Sequence, residues 1–388
     1  MSNLTDHCVM LTQELDRMSY YFRSGGPSAP WLGGLVTVLY ALIMLFGAAG
    51  NLLTVVAVVR NPNMRTNRNY FIVSLALSDL ILCMVSAPVT LYTILRTFWP
   101  FAEWVCKLAG ALQGFNVFVS IMSIGAIGMD RYIVIIFPTK LERQRCMTVL
   151  LSVMVWGVSL CMATPYFYGM GVRVLQRFNE CAITVQVCHE SAMAWKAIPF
   201  SKKTYTVACI VFVYVLPLCL VTFVYSRIAH RLQTRMHKRS VMMERRKSIR
   251  QRQRRTNSLF VCMVIVFALS WLPLNTFHLI YTFGVIDSFN VPIFAFCHLI
   301  GMTSACVNPI LYGFFNENFR AEFESISEQL RLVALMRRLR LFIVVPLHRH
   351  STRHSAPPSA AIELSTLPGP STDPLITVDG LLGKERTI

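Results

Sequence analysis

Residues 70–95 read YFIVSLALSDLILCMVSAPVTLYTIL and contain one charged side chain, that of Asp79. An α-helix needs about 20 mostly apolar residues to cross the hydrocarbon core of a bilayer, so this stretch predicts a membrane-spanning helix. Asp79 lies near its middle, where a carboxylate cannot face lipid and needs a cation, a proton or several hydrogen-bond donors. Asp79 is therefore a functional candidate, with a fixed structural hydrogen-bond role as the alternative.

Six further stretches have a similar length and composition, which makes seven predicted spans. With Tyr70–Leu95 as span two, spans one and three to seven are Leu32–Val59, Trp104–Ile136, Cys146–Tyr168, Tyr205–Ile228, Ser258–Phe283 and Val291–Phe315. Only 14% of the 388 residues are charged and 54% are hydrophobic, whereas soluble domains carry about 25% charged residues. This composition excludes an ordinary soluble protein and a disordered one. The predicted fold class is an all-α membrane protein, a seven-transmembrane helix bundle.

The distribution of charge sets the predicted orientation. The net charge is +18, but the basic residues concentrate in loops between apolar blocks, at residues 60–68, 140–145 and 231–255, so no nucleic-acid partner is expected. Cytoplasmic loops carry an excess of Lys and Arg. The odd-numbered loops and the C-terminus are therefore predicted to be cytoplasmic. The N-terminus is then outside, where Asn3-Leu4-Thr5 is a sequon for glycosylation at Asn3.

The chain divides into four predicted regions. Residues 1–31 form an extracellular N-terminal tail, and residues 32–315 form the bundle. Residues 316–330 form a short amphipathic eighth helix on the membrane surface, because Phe315, Phe319 and Phe323 recur at helical spacing. Residues 331–388 form a disordered cytoplasmic tail, whose last part is rich in Ser, Thr and Pro.

Polar or aromatic side chains share one helical face in each of three other spans. The faces consist of Gln113, Asn116, Ser120 and Ser123 in span three, of Phe267, Trp271, Asn275 and His278 in span six, and of Gly301, Ser304, Asn308 and Tyr312 in span seven. Such faces turn away from lipid, so they predict a polar interior that opens on the extracellular side. The sequence shows no catalytic Ser/His/Asp set, which argues against an enzyme, and no metal-ligand spacing, which argues against a metal site. It also shows no internal repeat of the kind that is typical of transporters.

Seven motifs stand in order, one in each span. They are Gly50-Asn51, Leu75-Ala76-Leu77-Ser78-Asp79, Asp130-Arg131-Tyr132, Trp156, Pro217 with Tyr225, Phe267-Ala268-Leu269-Ser270-Trp271-Leu272-Pro273, and Asn308-Pro309-Ile310-Leu311-Tyr312. Over residues 32–325 they resemble the rhodopsin-like G-protein-coupled receptor family. The resemblance implies a plasma-membrane receptor that couples an extracellular ligand to a heterotrimeric G protein, with kinases and arrestin as partners at the C-terminal tail. It implies no cofactor apart from an allosteric Na⁺ ion.

The same resemblance implies roles for individual residues. The sodium site would consist of Asp79, Asn116, Ser120, Ser304 and Asn308. The activation switches would be Asp130, Arg131, Tyr132, Ile121, Pro217, Tyr225, Phe267, Trp271, Asn308, Pro309 and Tyr312. Cys106 would form the extracellular disulfide with Cys181 or Cys188, of which Cys188 is preferred. Gln253 replaces the acid that often holds the span-three arginine in this family, which implies raised basal activity.

Within the family, Gln113, Thr90, His298 and residues 271–278 and 312–320 resemble the neuropeptide Y/neuropeptide F receptors. Peptides of that subfamily end in an amidated Arg-Phe or Arg-Tyr, and the residues that would contact this end here are Gln113, Thr90, His298, His278 and Asn275. Thr282 replaces the family's acid for the ligand arginine, so Asp287, Glu190 or Glu103 would take its place. The resemblance also implies an inhibitory G protein of the Gi/o type. The alternatives are another peptide family (RYamide, RFamide or tachykinin-like) and, outside receptors, a transporter.

Overall fold

The computed structural model describes residues 2–19, 30–136, 144–220, 222–224, 226–227, 243–286 and 289–344. Seven helices in these ranges are long and apolar enough to cross a membrane, which confirms the predicted bundle. In chain order, spans one to seven are Pro30–Arg60, Asn67–Leu95, Glu103–Ile136, Gln144–Gly169, Lys202–Val224, Met243–Thr282 and Val291–Phe315. The helix of span six thus begins well before the apolar stretch predicted for it.

Two spans contain a wider, π-helical turn just before a proline. In span two the turn Leu82–Ser86 precedes Pro88, and in span five the turn Val211–Val215 precedes Pro217. Proline lacks an N–H, and its ring collides with the carbonyl four residues earlier in a regular helix. The wider turn accommodates this collision and rotates the residues that follow relative to those that precede it.

Span three packs against spans two, four and six. The main apolar cluster between spans three and six includes Ile121, Ile124, Phe260 and Phe267. Gly128 permits their close approach, because a Cβ atom at this position would lie 2.2 Å from the Phe260 ring. The contact between these two spans therefore requires a residue without a side chain at position 128.

The connection between spans four and five forms a β-hairpin, which the all-α prediction did not include. Strand β1, Met170–Phe178, pairs antiparallel with strand β2, Ile183–Glu190. The sequence carries a signal for it, because Ile183, Val185 and Val187 alternate with polar residues in the pattern of a strand. The end of the bundle that carries this hairpin is called the hairpin end.

Helices also precede and follow the bundle, over Ser2–Ser19 and Glu317–Val344. The second begins where the eighth helix is predicted and continues past its predicted end at residue 330. In the predicted aromatic stripe, Phe319 is fully buried and its ring packs on Tyr312 of span seven. The stripe therefore contacts the bundle itself, and its contact with a membrane surface stays a prediction, as do the four regional boundaries.

Candidate functional site

A cavity of about 680 Å³ lies at the hairpin end of the bundle. Spans two to seven and strand β2 all contribute residues to its wall. Its volume falls within the range of about 300–1,000 Å³ that is typical of ligand pockets. Three of the predicted ligand contacts, Gln113, Asn275 and His278, lie on the wall. The structure thus brings residues from spans three and six together around one space.

Gln113 and Asn275 differ in how their amide groups are used. Asn275 Nδ2 donates hydrogen bonds to the Trp271 carbonyl at 2.8 Å and to the Tyr214 hydroxyl at 3.2 Å. Gln113 is half-buried and makes no hydrogen bond to another described residue. Asn275 is therefore held by the bundle, while Gln113 keeps two donors and an acceptor for a ligand.

Two predicted ligand contacts lie away from the cavity wall. His298 is fully buried, and its Nδ1 is 2.7 Å from the hydroxyl of Tyr40 in span one. Its ring stacks on Phe294, which does line the cavity. Thr90 donates its hydroxyl hydrogen to a backbone carbonyl one turn earlier, at 2.9 Å. His298 therefore supports the wall from behind, and ligand contact by either residue stays a prediction.

Of the acids considered for a ligand cation, Glu190 is the one that the structure places on the described part of the wall. Its Oε2 accepts a hydrogen bond from Lys202 Nζ at 2.6 Å. Glu103 instead pairs with Lys107 at 2.8 Å in the first turns of span three, outside the wall. Asp287 lies outside the described residues.

A second ion pair at the wall involves the N-terminal helix. Arg96, which lines the cavity, pairs with the carboxylate of Asp16 and also donates to the Asp16 carbonyl at 3.1 Å. The two residues lie 80 positions apart, and no spacing rule connects them. The pair was accordingly not predicted from the sequence.

Two disulfides hold the hairpin in place. Cys106 is bonded to Cys188, the preferred partner, which attaches strand β2 to the start of span three. Cys181, the other candidate, is bonded to Cys8 of the N-terminal helix. The sequence analysis does not predict this second bond. A signal for it exists, because Cys8 lies in a region that the charge pattern places outside the cell, where disulfides persist.

Trp271 lies between the cavity and a polar core deeper in the bundle. It lines the cavity, and its indole N–H donates to Ser304 Oγ at 3.2 Å. Gly301 gives the ring space, since a Cβ atom there would be 3.1 Å from it. One turn away in span six, the Phe267 ring lies 6.1 Å from the Trp271 ring. Three more of the predicted activation switches are buried: Ile121, Pro217 and Phe267.

The polar core is centred on Asp79, which is 2% exposed. Its Oδ2 accepts a hydrogen bond from Asn308 Nδ2 at 2.9 Å. Asn116 donates to Ser86 Oγ at 2.8 Å, while its own Oδ1 is buried and accepts no hydrogen bond from a described residue. The other two residues predicted for the sodium site, Ser120 and Ser304, are also buried. A carboxylate with buried amide and hydroxyl oxygens is a donor set that suits a hard cation.

Span seven is joined to span one next to this core. Pro309 cannot donate a helical hydrogen bond to the Ala305 carbonyl. Asn51 Nδ2 supplies the missing donor at 2.9 Å, and also donates to the Gly47 carbonyl at 2.8 Å. Tyr312 is fully buried one turn further on, and its hydroxyl has no hydrogen-bond partner among the described residues.

Two further predicted switches, Asp130 and Tyr132, lie at the end of span three opposite the hairpin. Asp130 is buried, and the Tyr132 ring lies 5.5 Å from the ring of Phe223 in span five. The backbone of Arg131 belongs to span three, but its side chain lies outside the described residues, as does Tyr225. The side chain of Gln253 is likewise outside them.

Comparison with known proteins gives a family for this arrangement. Residues 50–312 match the family described as "7 transmembrane receptor (rhodopsin family)". The "Putative neuropeptide Y receptor 11" of Caenorhabditis elegans is 43% identical over 348 residues, which are 86% of this chain and 87% of the relative. The "Neuropeptide F receptor" of Drosophila melanogaster is 36% identical over 314 residues, 77% of this chain and 63% of the relative. The "Neuropeptide FF receptor 2" of Rattus norvegicus is 28% identical over 334 residues, which are 83% of this chain and 78% of the relative.

All three relatives are named as receptors, which agrees with the expectation that the chain is not an enzyme. The matched residues 50–312 include the cavity floor at Trp271 and the polar core at Asp79. They also extend over most of the seven spans that the structure describes. The chain therefore belongs to the rhodopsin family of seven-transmembrane receptors and, within it, resembles the neuropeptide Y and neuropeptide F receptors.

Proposed function

We propose that the chain is a receptor for a C-terminally amidated neuropeptide of the neuropeptide Y/F type. The observation that carries the proposal is the chemistry of the cavity wall. Gln113 offers uncharged hydrogen-bonding groups there, while the cations Arg96 and Lys202 are already paired with carboxylates. An amidated end is uncharged and suits such a wall, whereas a free carboxylate would lose its water without gaining a cation. The names of the relatives support a peptide as the ligand class.

The hairpin end faces the outside of the plasma membrane in this proposal. Disulfides form and persist in oxidising compartments, and both described disulfides lie at this end. The basic loops would then meet the cytoplasm, in agreement with the usual excess of Lys and Arg on that side. The N-terminal helix would be extracellular, with Asn3 as its glycosylation site.

The signal would pass from the cavity to the opposite end through Trp271. A ligand that binds one arrangement of the spans more tightly shifts the population toward it. Trp271 contacts both the cavity and Ser304, so its movement would alter the hydrogen bonds next to Asp79. Span six would then swing outward at Pro273, and Arg131 would meet an inhibitory G protein of the Gi/o type. Kinases and arrestin would act later on the C-terminal tail.

The test is a peptide screen on cells that express the full chain. Peptides ending in amidated Arg-Phe or Arg-Tyr are expected to lower cyclic AMP, whereas the same peptides with a free carboxylate should be at least about tenfold less potent. Arg131→Ala should keep surface expression and peptide binding but lose coupling. If neuropeptide Y/F-type peptides are inactive and only RYamide-, RFamide- or tachykinin-like peptides act, the ligand class is replaced. Equal potency of amide and acid would contradict the proposal.

We also propose that the polar core binds Na⁺. The ion would be held by the Asp79 carboxylate and by oxygens of Asn116, Ser120 and Ser304, of which Asn116 Oδ1 has no other described partner. Sodium bound there would stabilise one arrangement of the bundle. Replacing NaCl by choline chloride is therefore expected to change agonist affinity in the unmodified receptor but not in Asp79→Asn. Equal salt dependence in both proteins would contradict the site.

A further inference from the structure

The cation Arg96 on the cavity wall receives a counter-ion from outside the bundle. Arg96 directly follows span two and lines the cavity. Its Nη1 pairs with the Asp16 carboxylate and also donates to the Asp16 carbonyl at 3.1 Å. Asp16 belongs to the N-terminal helix, none of whose described residues lines the cavity. The charge of the wall at this position therefore depends on a segment that does not itself form the wall.

A disulfide fixes the same helix to the hairpin. Cys8 is bonded to Cys181, in the turn that joins strands β1 and β2. Cys8 and Asp16 lie about 12 Å apart along the helix axis, at a rise of about 1.5 Å per residue. The ion pair is weak by itself, because the side chains of Arg96 and Asp16 are 30% and 67% exposed. The covalent tether keeps Asp16 near Arg96 and so raises the effective concentration of this carboxylate at the wall.

A paired and an unpaired arginine on the wall would select different peptide ends. A guanidinium binds a carboxylate through two parallel, charge-assisted hydrogen bonds, which an uncharged amide does not match. When Asp16 occupies Arg96, an incoming carboxylate has to displace one negative charge or remain beside it. An amide end carries no charge, so the ion pair has little influence on its binding.

We propose that Asp16 determines the preference for an amidated peptide, by neutralising Arg96 from a helix that the Cys8–Cys181 disulfide holds in place. Asp16 is thus a specificity-determining residue that acts through Arg96. The inference rests on the proposed receptor function and adds to it the residue that excludes peptides with a free C-terminal carboxylate.

The test compares an amidated Arg-Phe peptide with the same peptide ending in a free carboxylate, on cells that express the full chain. Asp16→Asn keeps the size of the side chain and removes its charge. It should lower the amide-to-acid potency ratio about three- to tenfold, through a gain of the acid peptide. Because the two peptides differ only at their C-terminus, the ratio cancels any effect on the rest of the peptide.

Two further variants test whether the effect passes through Arg96 and the tether. Adding Arg96→Gln to Asp16→Asn removes the cation that the acid peptide would bind, so the gain should disappear. Cys8→Ser with Cys181→Ser removes the tether and should lower the ratio less than Asp16→Asn does, because the ion pair can still form part of the time. An unaltered ratio in this untethered variant would overturn the role of the disulfide.

The matched control is Glu14→Gln, which removes a carboxylate from the same helix at a position that pairs with Arg17. It should leave the ratio unchanged, and an equal fall there would overturn the assignment to Asp16. Surface expression of every variant is measured with an epitope tag. If Asp16→Asn leaves the ratio unchanged or weakens both peptides alike, or if the gain persists without Arg96, the inference is wrong. If the unmodified receptor responds equally to both peptides or to neither, the proposed function itself fails.

Discussion

The cavity at the hairpin end and the polar core around Asp79 are both hydrophilic regions of an apolar bundle, yet they are built differently. In the core, Asp79, Asn308 and Ser304 are almost fully buried. The Asn308–Asp79 hydrogen bond joins span seven to span two, and the Trp271–Ser304 hydrogen bond joins span six to span seven. On the cavity wall, Gln113 has no hydrogen bond to a described residue, and Glu190 uses one of its two oxygens. Hydrogen bonds between the bundle's own residues hold the helices together, whereas the open positions, Gln113 on the wall and Asn116 Oδ1 in the core, are available to a ligand or an ion. We therefore expect changes in the core to alter stability first, and changes on the wall to alter ligand response first.

Releasing the hairpin should have the largest effect, because the wall depends on a covalent bond and the core does not. Cys188→Ser removes the disulfide to Cys106, and the loss of such a bond costs about 2–5 kcal/mol. Surface expression and the melting temperature of the detergent-solubilised receptor should both fall. Cys161→Ser, at an exposed free cysteine of span four, serves as the control and should change neither. An unaltered melting temperature in Cys188→Ser would show that packing alone holds the hairpin.

Breaking the core hydrogen bond should come next. Asn308→Ala leaves the buried Asp79 carboxylate without its described donor, at a cost of about 1–3 kcal/mol. The expected result is a lower melting temperature, read from a thermal-shift assay. Asn318→Ala, at an exposed position of the following helix, should leave the melting temperature in place. Equal stability of the two variants would mean that water or an ion replaces the Asn308 donor.

Adding one methyl group between spans three and six tests how tightly the apolar cluster between these two spans is packed. Gly128→Ala places a Cβ atom 2.2 Å from the Phe260 ring, and overpacking of this kind costs about 1–3 kcal/mol. The melting temperature should fall, and Phe260→Leu in the same chain should restore part of it. Gly157→Ala in span four, with nothing within 4 Å of the new atom, should have little effect. A destabilised Gly157→Ala protein would point to helix flexibility as the cause.

Removing the Gln113 amide, which makes no hydrogen bond to a described residue, should have the smallest effect on stability and a clear effect on function. Gln113→Ala is expected to reduce agonist potency about tenfold, the equivalent of one hydrogen bond, with little change in melting temperature. Thr90→Ala, away from the wall, should reduce potency far less. Dose–response curves normalised to surface expression measure both. Equal losses of potency in the two variants would indicate that Thr90 contacts the ligand, and would contradict its placement outside the cavity.

A large part of the fold follows from local sequence. In a bilayer each span must satisfy its own backbone hydrogen bonds, so apolar length alone predicts the seven helices. The cost of polar groups in lipid also makes their direction predictable: Asn116, Ser120, Ser123, Ser304 and Asn308 all turn inward as expected. The same reasoning identified Asp79 from one stretch of 26 residues. The hairpin could have been found from its alternating residues, but the apolar spans dominated the pattern.

The tertiary structure decided which of the inward-facing residues contact one another. Gln113 and Asn275 share a cavity, whereas His298, on an inward face as well, bonds to Tyr40 behind the wall. Helical spacing gives the face of each helix but not its rotation against its neighbours, and the π-helical turns before Pro88 and Pro217 change that rotation within a span.

The contacts at the hairpin end lie furthest from what sequence can reveal. Cys8 and Cys181 are 173 residues apart, and Asp16 and Arg96 are 80 apart. No periodicity connects such positions, because their meeting depends on how the loops fold over the ends of the helices. The sequence alone therefore determined that seven helices cross the membrane and which faces turn inward, since the bilayer acts on each helix separately. The cavity, its ion pairs and its tethers depend on contacts between distant segments, which exist only once the helices have packed.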